Sequence, residues 1–124
     1  MDMSYENILL ENWEEIHKRS QLNLWLLLSL KDGPKHMAQV QEFIQEYYPA
    51  MRVDDKSIYR TLRRFAEADV ISYTLQSSRN GPDRKIYGLT EIGDRVLREF
   101  LKRNLTTVFY ENYIQQLILR SCDN

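Results

Sequence analysis

Apolar positions recur along this chain at helical spacing, change once to strict alternation, and then return to helical spacing. Leu9, Trp13 and Ile16 fall on one side of a helix predicted from Tyr5 to about Arg19, with Glu11, Glu14 and Glu15 elsewhere around it. From about Leu22 to Lys31 nearly every side is apolar, which predicts a second helix and the most buried element of the fold. Gly33-Pro34 ends it, since glycine suits the left-handed position after a helix and proline cannot continue one. Lys35 to Tyr48 carries Met37, Val40, Ile44 and Tyr47 as an inner stripe. Tyr48-Pro49 closes this third helix, because a residue before proline is pushed out of the helical region. Asp54 or Asp55 caps a fourth helix, which runs to about Asp69.

The period then drops to two. Ile71, Tyr73 and Leu75 alternate as in a strand, Asn80-Gly81-Pro82 marks a turn, and Arg84 to Leu89 reads as the returning strand. Thr90 caps a further helix with Ile92, Val96, Phe100 and Leu101 as its inner positions. A last amphipathic stretch runs from about Val108 to Leu119 and carries Tyr110, Tyr113, Ile114, Leu117 and Ile118. The expected fold is mainly α with a small β-hairpin: a winged helix-turn-helix with additional N- and C-terminal helices. Residues 22–104 would form the winged-helix unit. Residues 1–21 would be an N-terminal helix that supports a dimer, and 105–124 a C-terminal dimerisation helix and tail.

Composition narrows the class. The 124 residues are 43% hydrophobic and 28% charged, as in an ordinary globular domain. The longest apolar run, Leu24 to Leu30, is far short of the ~20 residues of a membrane span and is expected in the core. Met1-Asp2-Met3-Ser4 shows no signal-peptide pattern, and Cys122, expected as a free thiol in a loose tail, is the sole cysteine. A reducing cytoplasm is therefore the expected location. His17 and His36 lack acidic or cysteine partners at ligand spacing, so no metal or cofactor is expected, and His36 reads as a helix-start or packing residue. No phosphate-binding glycine loop, nucleophile elbow or zinc-protease motif is present, so no enzyme is expected. The net charge of −1 is unevenly spread. Arg52 to Arg103 holds 12 Lys/Arg against 8 Asp/Glu, and the rest holds 5 against 10. A basic middle between acidic ends fits a DNA-facing surface.

The predicted fourth helix, 55–69, carries the sharpest signal. With about 100° per residue, Leu62 and Phe65 fall within about 40° of Ile58 and form a core stripe. Lys56, Arg60, Arg63 and Arg64 fall between about 140° and 240°, on the opposite face. In a major groove such residues reach guanine edges or phosphates, while Ser57, Tyr59 and Thr61 on the flanks can donate to phosphate oxygens. The turn region 77–85 supplies Arg79, Asn80, Arg84 and Lys85 as a second basic prong. Each feature alone also fits a solvated face or an ordinary turn, and the case rests on finding them together. A winged helix used for protein contact, or acting through a partner protein, is the alternative, and it predicts an apolar patch on this helix.

Ser57-Ile58-Tyr59-Arg60-Thr61-Leu62-Arg63-Arg64-Phe65 through Val70-Ile71, and then Gly81-Pro82-Asp83-Arg84-Lys85-Ile86-Tyr87-Gly88-Leu89-Thr90-Glu91-Ile92-Gly93, resemble the PadR family of transcriptional regulators. Leu27-Leu28-Ser29-Leu30, Gly33-Pro34 and His36 extend the resemblance to roughly residues 24–101. The chain departs from the family pattern at Met37-Ala38, where Gly-Tyr is usual. Arg60 stands where proline is common, and Asp69 where glycine usually closes the helix. The resemblance implies binding of double-stranded operator DNA by a homodimer, usually with repression. It implies a dimer built from the C-terminal helix with help from the N-terminal one, here through Leu9, Trp13, Ile16, Tyr110, Tyr113, Ile114, Leu117 and Ile118. The same C-terminal residues also fit packing within one subunit. A small apolar effector, held between subunits by Trp13, Trp25 and the tyrosine-rich C-terminus, is a further implication, although such aromatics are more often core.

Overall fold

The computed structural model of the protein describes residues 3–106 and 110–122. Val108, the expected start of the last stretch, and the opening Met1-Asp2 lie outside them. Five helices and one hairpin make up the named elements among the described residues: α1 (Met3–Asp32), α2 (Met37–Tyr47), α3 (Asp55–Glu67), β1 (Ile71–Gln76), β2 (Arg84–Leu89), α4 (Glu91–Asn104) and α5 (Asn112–Cys122). The architecture is the winged helix that the periodicity predicts.

The two helices expected before Gly33 are one, the 30-residue α1. At 1.5 Å per residue it is about 45 Å long. Nothing around Ser20 breaks a helix, and Trp25 Nε1 donates to Gln21 Oε1, inside the expected gap, at 3.0 Å. The change from a one-sided stripe to all-round apolarity therefore marks the point where one rod enters the core, and residues 21 and 22 lie inside it. Described side chains before Gln21 are exposed or, at Lys18, half-buried. Leu22, Leu24, Leu26, Leu27 and Leu30 are buried. Gly33 takes a positive φ of 156°, a backbone conformation that favours glycine. Lys35 closes the helix end, its Nζ donating to Ser29 O at 2.6 Å and to Asp32 Oδ2 at 2.7 Å.

The core lies where α1, α2 and α3 meet β1, β2 and α4. Leu26, Val40, Ile44, Ile58, Leu62, Ile71 and Leu97 are almost wholly excluded from solvent. Burial of one such side chain contributes about 1.5–3 kcal/mol relative to leaving it in water. His36 caps α2 in a reciprocal box: Gln39 N donates to His36 Nδ1, and His36 N donates to Gln39 Oε1 at 3.1 Å. Tyr47, expected inside, is exposed. The inner aromatic is its neighbour Tyr48, which packs edge-on against Trp25 with ring centroids 5.5 Å apart. The helix ends before Tyr48, and the chain turns that ring inward.

The hairpin pairs in antiparallel register from Ile71–Leu89 to Gln76–Arg84. Residue 35 adds a bridge on its other side, with Lys35 N donating to Tyr87 O at 3.0 Å and Tyr87 N to Lys35 O at 2.8 Å. Asp69 adopts φ 61°, the left-handed conformation that an aspartate tolerates better than most residues. Thr90 Oγ1 accepts from Gly93 N at 3.0 Å and donates to Asp69 O at 2.6 Å, which ties α4 to the end of α3. A Cβ at Gly93 would sit 1.9 Å from Val70 O, so only glycine fits there. Lys31 Nζ joins Asp94 Oδ1 at 2.6 Å and, with Arg98, holds the Asp94 carboxyl below the usual carboxylate range.

Ile92, Val96 and Phe100, expected as inner positions of α4, are exposed, whereas Gly93 and Leu97 are buried. The close approach of Gly93 to Val70 O rotates α4 so that the neighbouring stripe faces the core. Cys122 is an exposed free thiol, but it ends α5 and does not lie in a loose tail. Among the described residues, no helix is long and apolar enough to cross a membrane and no group of three or more His, Cys, Asp or Glu could hold a metal.

Candidate nucleic-acid interface

Asp54 starts α3. Its Oδ1 accepts from Ser57 N at 2.8 Å, and the Ser57 hydrogen bonds lower the Asp54 carboxyl below its ordinary range. Ile58, Thr61 and Leu62 are buried beneath the helix, with Phe65 half-buried beside them. Lys56, Tyr59, Arg60, Arg63 and Arg64 are exposed, and Ser57 is half-buried. Thr61 differs from expectation: it is buried and its hydroxyl donates to Ser57 O at 2.9 Å, so it is not free to contact phosphate.

Arg79, Asn80, Arg84 and Lys85 are all exposed on the turn and β2. The structure brings Lys85 to the α3 side. It shares a cleft of about 320 Å³ with Tyr59, Arg63, Glu67, Tyr73 and Tyr87. Lys85 Nζ lies 4.6 Å from the centre of the Tyr73 ring, and Tyr73 and Tyr87 are 5.8 Å apart by ring centroids. Burial, with Tyr59 and Tyr73 nearby, pushes the Tyr87 hydroxyl above its usual pKa. Tyr73 and Tyr87 were not among the residues expected at the site. The alternation of the strands put Tyr73 on one face of the hairpin, but only the assembled fold shows that this face meets α3. Arg79, Asn80 and Arg84 do not line this cleft.

A second, larger cleft of about 920 Å³ runs along the other side of α3. Its walls are the middle of α1, the segment 52–54 and the α3 residues Ser57, Arg60, Thr61 and Arg64. Five cations line it, Lys18, Arg19, Arg52, Arg60 and Arg64, against the carboxylates of Glu15 and Asp54. Arg64 Nη2 donates to Asn23 Oδ1 at 2.9 Å, which draws it toward α1 and away from Arg63. Arg63 Nε instead pairs with Glu67 Oε1 at 3.2 Å. The four cations read as one face thus divide: Arg63 turns to the hairpin side, Arg60 and Arg64 to the α1 side, and Lys56 lines neither cleft. No described residue on the exposed face of α3 other than Tyr59 is a large hydrophobic one, so the helix lacks the apolar patch of a protein-docking surface.

The residues expected in a dimer contact are on the surface. Leu9, Trp13, Ile16, Tyr110, Tyr113, Leu117 and Ile118 are exposed, and Ile114 is half-buried. Trp13 is 74% exposed and is not a core residue. Trp25 packs against Tyr48, so the structure places the two tryptophans in different surroundings.

The sequence matches the transcriptional regulator PadR-like family over residues 26–99. A search of curated proteins found no significant match. Solved structures with the same fold include a PadR-like transcription factor from Bacteroides fragilis, with 25% identity, TM-score 0.68, and cover of 83% of this chain and 98% of that one. A PadR family transcriptional regulator from Eggerthella lenta shares 19% identity at TM-score 0.70, over 99% of this chain and 100% of that one. Bacillus subtilis PadR in complex with operator DNA shares 20% identity at TM-score 0.59, over 64% of this chain and 46% of that one.

Proposed function

This chain belongs to the PadR-like family of transcriptional regulators, and on that premise we propose that it binds operator DNA as a homodimer and represses the genes it controls. The observation that carries this reading is the exposed cationic side of α3 beside Lys85 of the hairpin. A helix fits the major groove of DNA, where arginine and lysine meet guanine edges and phosphates. In this reading Lys56, Ser57, Tyr59, Arg60, Arg63 and Arg64 face the groove, and Arg79, Asn80, Arg84 and Lys85 hold the backbone beside it. Bacillus subtilis PadR, which shares the fold, was solved in complex with operator DNA, and this supports DNA as the partner. Residues 22–104 form the DNA-binding unit, and 1–21 and 105–124 serve assembly. The protein works in the cytoplasm, without a catalytic role.

Footprinting across the protein's own upstream DNA tests the function. A protected stretch with two related half-sites, one helical turn or a multiple apart, is the expected result for a two-fold dimer. Absence of protection at concentrations that saturate non-specific binding would move the protein-contact alternative ahead.

A further inference from the structure

In the cleft on the α1 side of α3, the cations Lys18, Arg19 and Arg52 have no role in the interface as the sequence predicts it. Lys18 and Arg19 fall in the segment expected to support a dimer, and Arg52 lies before the recognition helix. Yet α1 brings Lys18 and Arg19 past the start of α3, where they line one cleft with Arg52, Arg60 and Arg64. Not all five are equally available. Arg19 leans to Glu15 at 3.8 Å, and Arg64 is held by Asn23. Among the described residues, no ion pair engages Lys18 or Arg52. The Asp54 carboxylate in the same cleft is turned to its capping bond with Ser57 N. Lys18 and Arg60 both add to the field that favours its charged form, which puts both close to the start of α3.

A helix lying in the major groove has a phosphate strand on each side of it. The groove is about 12 Å wide, and the duplex carries one negative charge per about 1.7 Å of axis. Lys85 of the hairpin lies on one side of α3, and the α1 cleft supplies cations on the other. We propose that Lys18 and Arg52 bind the DNA phosphate strand on the side of the recognition helix away from the hairpin, so that α3 is clamped from both flanks. This rests on the operator-binding reading and extends it. It gives α1 two roles, because the rod whose first half carries Leu9, Trp13 and Ile16 also touches the backbone through its middle. The spacing of the two recognition helices in a dimer is then held by the same helix that grips the DNA.

The full-length Lys18→Gln,Arg52→Gln variant tests the clamp against an Arg95→Gln,Lys102→Gln control, which makes the same charge change at exposed positions on α4 that line neither cleft. All three proteins are titrated with operator and scrambled duplex over a range of salt, with circular dichroism and light scattering confirming equal fold and mass. Without these two phosphate-binding cations, the slope of log affinity against log salt becomes shallower by about 1.8 per protomer. The expected result is that shallower slope, with affinity for both duplexes weakened by the same factor, in the cleft variant and not in the control. Wild-type slope and affinity in the cleft variant would overturn the clamp while leaving operator reading by α3 intact. Absence of DNA binding by the wild type would overturn the operator reading itself, and the clamp with it. A titration with inorganic phosphate, followed at the Ser57 amide, separates a free anion from the backbone. Saturable binding that depends on Lys18 and Arg52, combined with unchanged DNA affinity in the variant, would make the cleft a small-anion site and overturn the assignment to DNA.

Discussion

Arg60 and Arg63 are neighbours on α3 but have different surroundings. Arg60 Nη2 reaches Ser57 Oγ at 3.4 Å in the α1-side cleft, whereas Arg63 pairs with Glu67 and lies beside Lys85 and Tyr73 on the hairpin side. Surface ion pairs such as Arg63–Glu67 contribute little, about 0–1 kcal/mol, so Arg63 can exchange that partner for a base or phosphate at small cost. Base contacts specify sequence, and phosphate contacts position the protein. Arg60→Ala or Arg63→Ala should each cost about 1–3 kcal/mol on operator DNA and narrow the gap between operator and scrambled duplex. Lys85→Ala should weaken both duplexes by similar factors. Competition binding on the two duplexes measures this, with circular dichroism as the folding control. None of the three changes should unfold the protein, because all three side chains are exposed. A folded Arg60→Ala,Arg63→Ala variant with wild-type discrimination would remove α3 as the reader.

The junction of α3, the hairpin and α4 depends on a few backbone contacts. Asp69 turns the chain at φ 61°, Val70 N donates to Phe65 O at 3.0 Å, and Thr90 Oγ1 reaches back to Asp69 O. Gly93 lets the first turn of α4 lie directly against Val70 O. Gly93→Ala places a methyl group where the Val70 carbonyl oxygen already stands, and that oxygen belongs to the backbone, so no flexible side chain can move aside to relieve the clash. The expected cost is about 3 kcal/mol, at the upper end of ordinary overpacking, read as a lower midpoint in urea denaturation. Because the clash displaces the hairpin relative to α3, the folded fraction of this variant should also bind DNA less tightly. A midpoint equal to wild type would show that α4 can shift without disturbing the junction.

The whole molecule exposes more apolar surface than its core requires. Tyr5, Ile8, Leu9, Leu10, Trp13 and Ile16 are exposed on α1. Ile92, Val96 and Phe100 add a stripe on α4, and Tyr113, Leu117, Ile118 and Leu119 add another on α5. Large exposed apolar patches mark interaction surfaces. Light scattering at micromolar concentration should give twice the 14.9 kDa chain mass. Truncation after Leu105 should give monomers or aggregates, since it removes α5 and with it part of the apolar surface proposed to pair the subunits. A wild-type monomer at that concentration would sink the dimer. If the proposed dimer forms, the exposed Ile92, Val96 and Phe100 stripe offers it apolar surface beyond the residues that the sequence pointed to.

The order of elements from α2 onward, the ends of β2, a cap at Asp54 or Asp55 and the cationic outer side of α3 were legible in the sequence because each depends on local chemistry: period, turn residues, capping oxygens and rotation per residue. The resemblance through Leu62-Arg63-Arg64 and Leu89-Thr90 pointed to the same family that the comparison over residues 26–99 shows. Other features depended on long-range contacts. Whether α1 is one helix or two turned on what packs around Ser20, not on Ser20 itself. Which stripe of α4 faces inward was decided by the approach of Gly93 to Val70 O, a contact across 23 residues of sequence. Ile92, Val96 and Phe100 form as good a helical stripe as Gly93, Leu97 and Leu101, so periodicity alone could not choose between them. The division of the α3 cations between two clefts, and the meeting of Lys18 and Arg52 with Arg60, needed α1 to lie across the start of α3. The sequence determined which residues are charged and on which side of their own helix they lie. The tertiary structure alone decided which of those sides face one another, because that depends on packing between elements far apart in the chain.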